Sequence, residues 1–564
     1  RPTLAPTALQ YFAAREVVDH PAEAESWVKE RIAAEHRARL RHSDMGDVTL
    51  AEAFDELPRA MQAMLEHEIG IEHRAVVPRQ WLIDELRAAK QRGVRMVAMT
   101  DTTLPAEVVR EVVARAGAGD LFDEWYVSNE RRARKDQGGM WSVVAAAEGI
   151  APSRWLHIGD NERSDIQQAL THEVAWSLVP SPRAVAQFHA PRGRLERGNW
   201  ATMSALGLSA TRLYDGRSAG RADALSEAVF GYSVLGPIVA AFGAALVQRK
   251  RDRPHERLLL MARDTAVIDE VVRRWNEAAP SAVPAADYFQ VSRRAALAAS
   301  SAVGVDIDLV LDAGAFDGVF ADMVEARTGF RPAGERFEVE VHHPAERTRC
   351  AALLAELGDQ LRANGETQLQ GLRRHLGDLG VDDRSRLCLV DLGYSGTTQR
   401  ALARVLPNPI SGLYCVTTPA GAAAGGQGVF GNGVRFWTGH WFLDHSLLLE
   451  ALLSSTSGPV HGYTTDPNLD AVVFGEPPTG VDSERIGAVQ AAALDYCADL
   501  LRIFGSAVIT DGIDAGAVLS WVSRIPPQFL ASPNQLFAGL RIENGFVGRP
   551  LDDSAPSATP GSAT

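Results

Sequence analysis

Between residues 80 and 180 the apolar positions switch repeatedly between two patterns. Stretches with apolar residues three and four apart, as on one helix face, alternate with short continuous apolar runs. The helical spacing predicts helices over 81–92, 108–116, 140–148 and 164–170. The short runs at 94–99, 122–127, 154–158 and 174–178 predict strands. Gly93 and Gly149 follow two of the helices, where a glycine closes a helix without steric cost. Strands that alternate with helices of this length imply βαβ units and a parallel sheet.

The flanking regions differ. Residues 7–75 carry helical spacing only: Trp27 with Arg31, and Val28 with Ile32, lie one turn apart. Thr49 followed by Glu52 fits a capping box and predicts a helix start. The basic stretch 37–42 is expected to be a solvated helix face. Residues 180–222, rich in Arg, Gly, Ser and Pro, predict a linker. A second α/β pattern follows, with a helix over 225–248 and strands at 258–262, 288–291, 387–391 and 412–416. Residues 483–504 and 513–542 predict helices, and the Ser-, Pro- and Ala-rich end predicts disorder. The expected organisation is a helical region (1–78), an α/β core (79–190), a linker (191–222), a second α/β domain (223–475), a helical C-terminal region (476–550) and a tail (551–564).

Composition narrows the possibilities. A chain of 564 residues is too long for one core. A net charge of −14 argues against nucleic acid as a partner of the chain as a whole. Four cysteines without CxxC spacing argue against zinc and disulfides and suit a reducing cytoplasm. No apolar run of about 20 residues predicts a membrane span. The chain opens on Arg1-Pro2-Thr3 without Met or a signal-peptide pattern, which suggests a fragment or a processed chain. Basic residues are almost all Arg; the lysines are Lys29, Lys90, Lys135 and Lys250.

In an open parallel sheet, ligands bind beyond the carboxyl ends of the strands. Thr100 follows the first predicted strand, Lys135 lies shortly after the second, and Gly159-Asp160 with Asp165 follows the third. A hydroxyl, an ammonium and two carboxylates on one rim are the parts of a site for a divalent cation and a phosphate. Each also has a plain structural use: Asp160 as a helix cap, Thr100 as a turn residue, Lys135 as a solvated side chain.

This order resembles the haloacid-dehalogenase-like (HAD) superfamily in its second, third and fourth motifs: a strand ending in Thr, a Lys before a helix, and GDxxxxD after a strand. The resemblance implies a Rossmann-like parallel sheet with a helical cap at 7–75 and a Mg²⁺-dependent phosphohydrolase. Thr100, Lys135 and Asp160 would be catalytic, and Asp160 and Asp165 would serve the metal. The family's first motif, D-x-D-x-T, supplies the nucleophilic Asp. It is absent here, so the first strand is expected upstream of Arg1. Asp306-Ile307-Asp308 has D-x-D without the Thr, far along the chain.

The second α/β region has strand ends of its own. Asp391-Leu392-Gly393-Tyr394-Ser395-Gly396-Thr397-Thr398 follows one strand and could cradle an anion. It loosely resembles the phosphate loop of phosphoribosyltransferases without their paired acids. Equally, it could be a tight turn that needs glycines. Arg263-Asp264-Thr265 and Ser292-Arg293-Arg294 end two more strands. Arg263, Asp264, Arg293, Arg294, Asp391, Gly393, Gly396 and Thr397 are thus expected ligand-binding residues. The whole layout resembles large two-domain HAD-like proteins of bacterial surface-polysaccharide settings. That resemblance implies a small phosphorylated substrate, such as a sugar phosphate, and association with glycosyltransferases. Two alternatives stay open: a non-catalytic binding or scaffold protein, and a transferase acting from the 391–398 loop.

Overall fold

The computed structural model describes residues 2–5, 7–43, 46–189, 198–215, 226–477 and 483–525. The chain is mixed α/β and divides into two compact units, Arg1–Pro237 with Asp495–Phe529, and Ile238–Leu494 with Leu530–Thr564. The expected tail and the end of the 513–542 helix lie outside the described residues.

The first unit begins with a helix, Ala8–Arg15, whose apolar residues point all round and are buried. A helix with this pattern belongs inside a core. Tyr11 stacks on Trp200 at 5.4 Å between ring centroids, and Phe12 meets Phe504 at 5.0 Å. Trp200 opens the helix Trp200–Leu213, almost all of it buried, capped by the Asn199 side chain. This helix occupies much of the expected linker. Its Ala, Ser, Gly and Thr residues carry little amphipathic signal because every face is packed.

The 507–511 segment is held to this core by charge. Asp511 accepts from Arg15 Nε and Nη2, both at 3.0 Å, and from the Tyr11 hydroxyl at 2.6 Å. The long helix Pro21–Arg41 carries the buried Arg31, which donates to both Glu68 oxygens at 3.0 and 3.1 Å. The basic stretch on this helix is ion-paired: Arg37 with Glu30, Arg39 with Glu35 and Arg41 with Glu56. The helix Leu50–Asp55 starts on the expected capping box, with both of its hydrogen bonds formed.

The α/β part of this unit has strands β1 (Val97–Thr100), β2 (Glu124–Val127), β3 (Leu156–Gly159) and β4 (Ala175–Leu178). All four lie within or next to the apolar runs. They pair in parallel as β1 with β2 and as β3 with β4, in two separate ribbons rather than one sheet. Parallel strands are normally buried on both faces. Here Leu156 and Ile158 of β3 are 58% and 38% exposed.

The second unit contains β5 (Glu256–Met261), β6 (Asp287–Phe289), β7 (Phe316–Val319), β8 (Glu340–His343), β9 (Arg386–Asp391), β10 (Ile410–Val416), β11 (Gly426–Gly431), β12 (Val460–Tyr463) and β13 (Val472–Phe474). Five of them form one parallel sheet in the order β11-β10-β9-β5-β6. The continuous apolar runs Leu258–Met261 and Leu387–Val390 are its fully covered centre, as expected for a parallel sheet. Two antiparallel pairs, β7–β8 and β12–β13, have no counterpart in the sequence expectation. At the amino ends of the strands, buried Arg249 donates to both Glu256 oxygens (2.6 and 3.1 Å) and to Ser411 (2.8 Å), tying β5 to β10.

The helical segment Glu227–Asp252 is long and apolar enough to cross a membrane, and 83% of its apolar window is buried within the protein. The four cysteines are free and buried.

Asp511→Ala should lower stability by about 3 kcal/mol, because it leaves the buried Arg15 guanidinium uncompensated. The urea midpoint of the variant checks this. A change below about 0.5 kcal/mol would mean that the pair does not hold the segment.

Candidate functional site

Thr100 is the last residue of β1 and is half-buried. The next residue, Asp101, ties a second loop to the strand end. Its two carboxylate oxygens accept from the Lys135 backbone N–H at 2.9 and 3.0 Å. Burial raises the Asp101 pKa against these hydrogen bonds and the nearby Lys135 charge. The Lys135 side chain then reaches toward β3, where its ammonium donates to Asp165 Oδ1 at 2.7 Å. One lysine therefore joins the end of β1, through its backbone, to the residues after β3, through its side chain.

Asp165 is buried and fully engaged. Besides Lys135, it hydrogen-bonds His157 Nε2 at 3.1 Å and accepts from the Asn161 N–H at 3.0 Å. Burial alone would raise its pKa. The His157 hydrogen bond, the Lys135 charge and the Asn161 N–H outweigh that and hold it well below the usual carboxylate range. Gly159 permits this approach, since a Cβ there would lie 2.3 Å from Asp165 Oδ2. Behind the site, Trp141 packs on His157, Trp155 and His172.

Asp160 stands apart, exposed just beyond β3. The structure thus brings Lys135 and Asp165 together, with Thr100 one residue from the Asp101 anchor. It commits Asp165 to the lysine. Among the described residues, no three His, Cys, Asp or Glu side chains are grouped to hold a metal ion. The residues present offer a divalent cation the exposed carboxylate of Asp160 and do not by themselves make its site.

Sequence reasoning missed how the helical region docks on this rim. Ser128, just after β2, donates to Asp47 Oδ2 at 2.5 Å. Arg132 donates to both Glu52 oxygens at 2.9 and 2.8 Å and to the Asp47 carbonyl at 2.7 Å. The Arg132 pair brings the Glu52 pKa down to about 2. The Leu50 N–H donates to the Thr103 carbonyl at 2.7 Å. The start of the helix Leu50–Asp55 is therefore clamped beside the ends of β1 and β2. The capping box at Thr49 was legible; its docking partners were not.

In the second unit, the strand order sets the ends of β9, β5 and β6 side by side. Asp391 ends β9 and accepts from the Leu392 N–H at 2.8 Å. Arg263 and Asp264 follow β5, and Asp264 accepts from Ser454 Oγ at 2.8 Å. Arg293 opens the helix Arg293–Ser300 and donates to the Ala313 carbonyl at 3.0 Å. Arg263, Asp264, Arg293 and Asp391 all act on one another or on Glu450, which lies in the helix Ser446–Leu453. Arg294 does not join them; it packs beside Gly329, under the influence of Glu325.

The 391–398 loop is explained largely by packing. Gly396 has a left-handed φ of +66°. The loop lies against the 418–424 turn, where the Thr418 N–H donates to the Tyr394 carbonyl at 2.9 Å and a Cβ on Gly421 would fall 2.2 Å from that oxygen. Gly393 sits in the same turn, and Thr397 is buried at the start of the short helix Thr397–Ala403. Neither a family model nor a curated protein matches the chain.

Lys135→Met should cost about 3 kcal/mol by leaving Asp165 without its cation. The folded Asp165 pKa lies below its unfolded value near 4. Its contribution to stability is therefore complete above about pH 4 and is lost as the pH falls below that. The lysine variant should raise the Asp165 pKa and flatten this acid limb. Urea midpoints measured from about pH 2 to 6 check both effects.

Proposed function

We propose that the first unit is the core of a Mg²⁺-dependent phosphohydrolase of the HAD type, acting on a small phosphorylated metabolite. The observation that carries this reading is the span of Lys135 from the Asp101 anchor at β1 to Asp165 behind β3. The two parallel ribbons support it further. Neighbouring strands lie about 4.8 Å apart, so one strand inserted between β1 and β3 would need a gap on the order of 10 Å. A lysine whose backbone serves one ribbon and whose ammonium serves the other suits such a gap. The exposed Leu156 and Ile158 suit a ribbon that awaits a neighbour.

On this reading the inserted strand carries the nucleophilic carboxylate to the rim. That carboxylate attacks the phosphorus, the ester oxygen leaves, and water then hydrolyses the aspartyl phosphate. Lys135 neutralises charge on the phosphoryl oxygens as it develops, and Thr100 adds a hydrogen bond. Asp165 positions the lysine. Asp160 would hold Mg²⁺ together with carboxylates of the inserted strand, and the bound cation would supply Lewis-acid polarisation of the phosphoryl group. The clamp of Arg132 on Glu52 keeps the helical region over the rim and limits access of water. The four buried thiols suit work in a reducing cytoplasm.

The coding sequence before Arg1 should encode an apolar strand ending in D-x-D-x-T. The protein that includes it should hydrolyse p-nitrophenyl phosphate with Mg²⁺. Asp160→Asn and Lys135→Met should each lower kcat by roughly 100-fold or more. Translation that starts near Arg1, or an upstream strand without carboxylates, would sink the proposal. Phosphate binding without turnover in the full-length protein would point instead to a scaffold.

A further inference from the structure

The polar groups at the carboxyl ends of β9, β5 and β6 are independent of the phosphohydrolase reading, and packing explains only part of them. Ordinary buried carboxylates are paired, as Glu256 is with Arg249 and Glu68 with Arg31. Three acids, Asp264, Asp391 and Glu450, crowd this rim, and the Asp264 charge disfavours ionisation of the other two. Burial and the Asp264 charge push the Glu450 pKa up to about 7, with Arg293 and Arg263 opposing. Burial and the Asp264 charge also raise Asp391 well above the usual carboxylate range. A carboxyl group half-protonated near neutrality is a common feature of ligand sites.

Hydrogen bonding sharpens the contrast. Asp264 is held by Ser454 and Asp391 by the Leu392 N–H. Among the described residues, neither the Glu450 carboxyl nor the Arg263 guanidinium has a hydrogen-bond partner. Both are only partly exposed, and Arg263 acts on Glu450 electrostatically. Arg263 also lines a cleft of about 240 Å³. The other walls of that cleft include Tyr288, Gln290, Ser457 and Phe474. Tyr288 feels Asp264 and Arg263 and hydrogen-bonds Ser455, so the cleft and the charged cluster adjoin. An unpartnered guanidinium on a residue beside a cleft suits an anionic group. Carboxylates short of donors suit hydroxyls, and the aromatic walls suit the apolar face of a ring.

We infer that this rim is a ligand site of its own, in which Arg263 and Arg293 hold the anionic group of a small polyhydroxylated molecule while Asp264, Asp391 and Glu450 accept hydrogen bonds from its hydroxyls. Its anion can be a phosphate or a carboxylate. The site is separate from the rim that carries Lys135 and Asp165, and it does not depend on an inserted strand.

Isothermal titration with glucose 6-phosphate and with glucuronate tests this, with glucose as the uncharged control. At least one of the two anions should bind saturably, and the arm that binds names the anionic group. Affinity should fall roughly tenfold or more in Arg263→Met and in Asp391→Asn. It should be unchanged in Lys135→Met, which separates this site from the phosphate site proposed for the first unit. The Arg263 side chain makes no hydrogen bond among the described residues, and Glu450→Gln is nearly isosteric, so a circular dichroism spectrum unlike wild type is not expected from either. Glu450→Gln should weaken binding as well. The inference is overturned if neither anion binds below about 10 mM, if glucose binds as tightly, or if binding survives Arg263→Met and Asp391→Asn but is lost in Lys135→Met.

Discussion

Parallel strand pairing leaves every strand's carboxyl end on the same edge, and that constraint decides which side chains of this protein can meet. In the second unit the order β11-β10-β9-β5-β6 makes Asp391, the Arg263-Asp264 pair and Arg293 neighbours, although they are far apart along the chain. The opposite edge shows what the fold does with charge when only stability is at stake. There Arg249 and Glu256 meet with two hydrogen bonds and a serine to complete the set. The amino edge is thus electrically closed, and the carboxyl edge is left with unmet hydrogen-bonding capacity.

Asp165 and Glu450 show the same difference between two carboxyl groups. Both experience burial, which disfavours the charge. Asp165 answers it with an ammonium, an imidazole and a backbone N–H, and its pKa falls. Glu450 meets a second carboxylate, with arginines only as electrostatic neighbours, and its pKa rises. The first arrangement fixes a geometry: Asp165 holds Lys135 where it is. The second leaves a group that can still exchange a proton or accept a hydrogen bond. A saturated carboxylate is a poor metal ligand, so of the two aspartates expected to serve the metal, Asp160 is the better placed to contribute a ligand.

Where the sequence carried a one-dimensional signal, the fold was legible. Continuous apolar runs marked β1 to β4 and the central strands of the second unit; the latter are covered on both faces, which requires apolar residues at every position. The capping box at Thr49 is purely local and was read correctly. Lys135 and Asp165 could be linked because their spacing relative to the strands is itself sequential. Other features had no such signal. The helix Trp200–Leu213 is packed on all sides by small residues, so it lacks the amphipathic stripe that separates helix from linker. Glu450 sits alone in Ser446-Leu447-Leu448-Leu449-Glu450-Ala451-Leu452-Leu453, where one acid in an apolar helix could have been noticed but nothing named its partners. The pairing of Ser128 with Asp47, and the turning away of Arg294 toward Glu325, depend on contacts between distant segments. The glycines of the 391–398 loop were visible, but their close approach to Gly421 was not.

The two ribbons of the first unit pose an energetic question that the second unit answers by example. In the five-stranded sheet, Leu259, Leu260, Leu387 and Leu389 are buried completely or nearly so, because neighbouring strands and helices cover both faces. β3 has the same type of sequence, yet Leu156 and Ile158 remain 58% and 38% exposed. Full burial of such a side chain contributes about 1.5–3 kcal/mol, so covering the exposed fractions would contribute on the order of 1–2 kcal/mol for Leu156 and somewhat less for Ile158. A strand seated against β3 would gain this and also satisfy the hydrogen-bonding groups of an open edge, which parallel ribbons rarely leave bare. Lys135 already bridges the two ribbons, with its ammonium satisfied by Asp165. Hydrophobic cover and strand pairing therefore favour a further apolar strand beside β3, as the proposed phosphohydrolase reading requires, while the charge of any acid on that strand would have to be balanced by a bound cation.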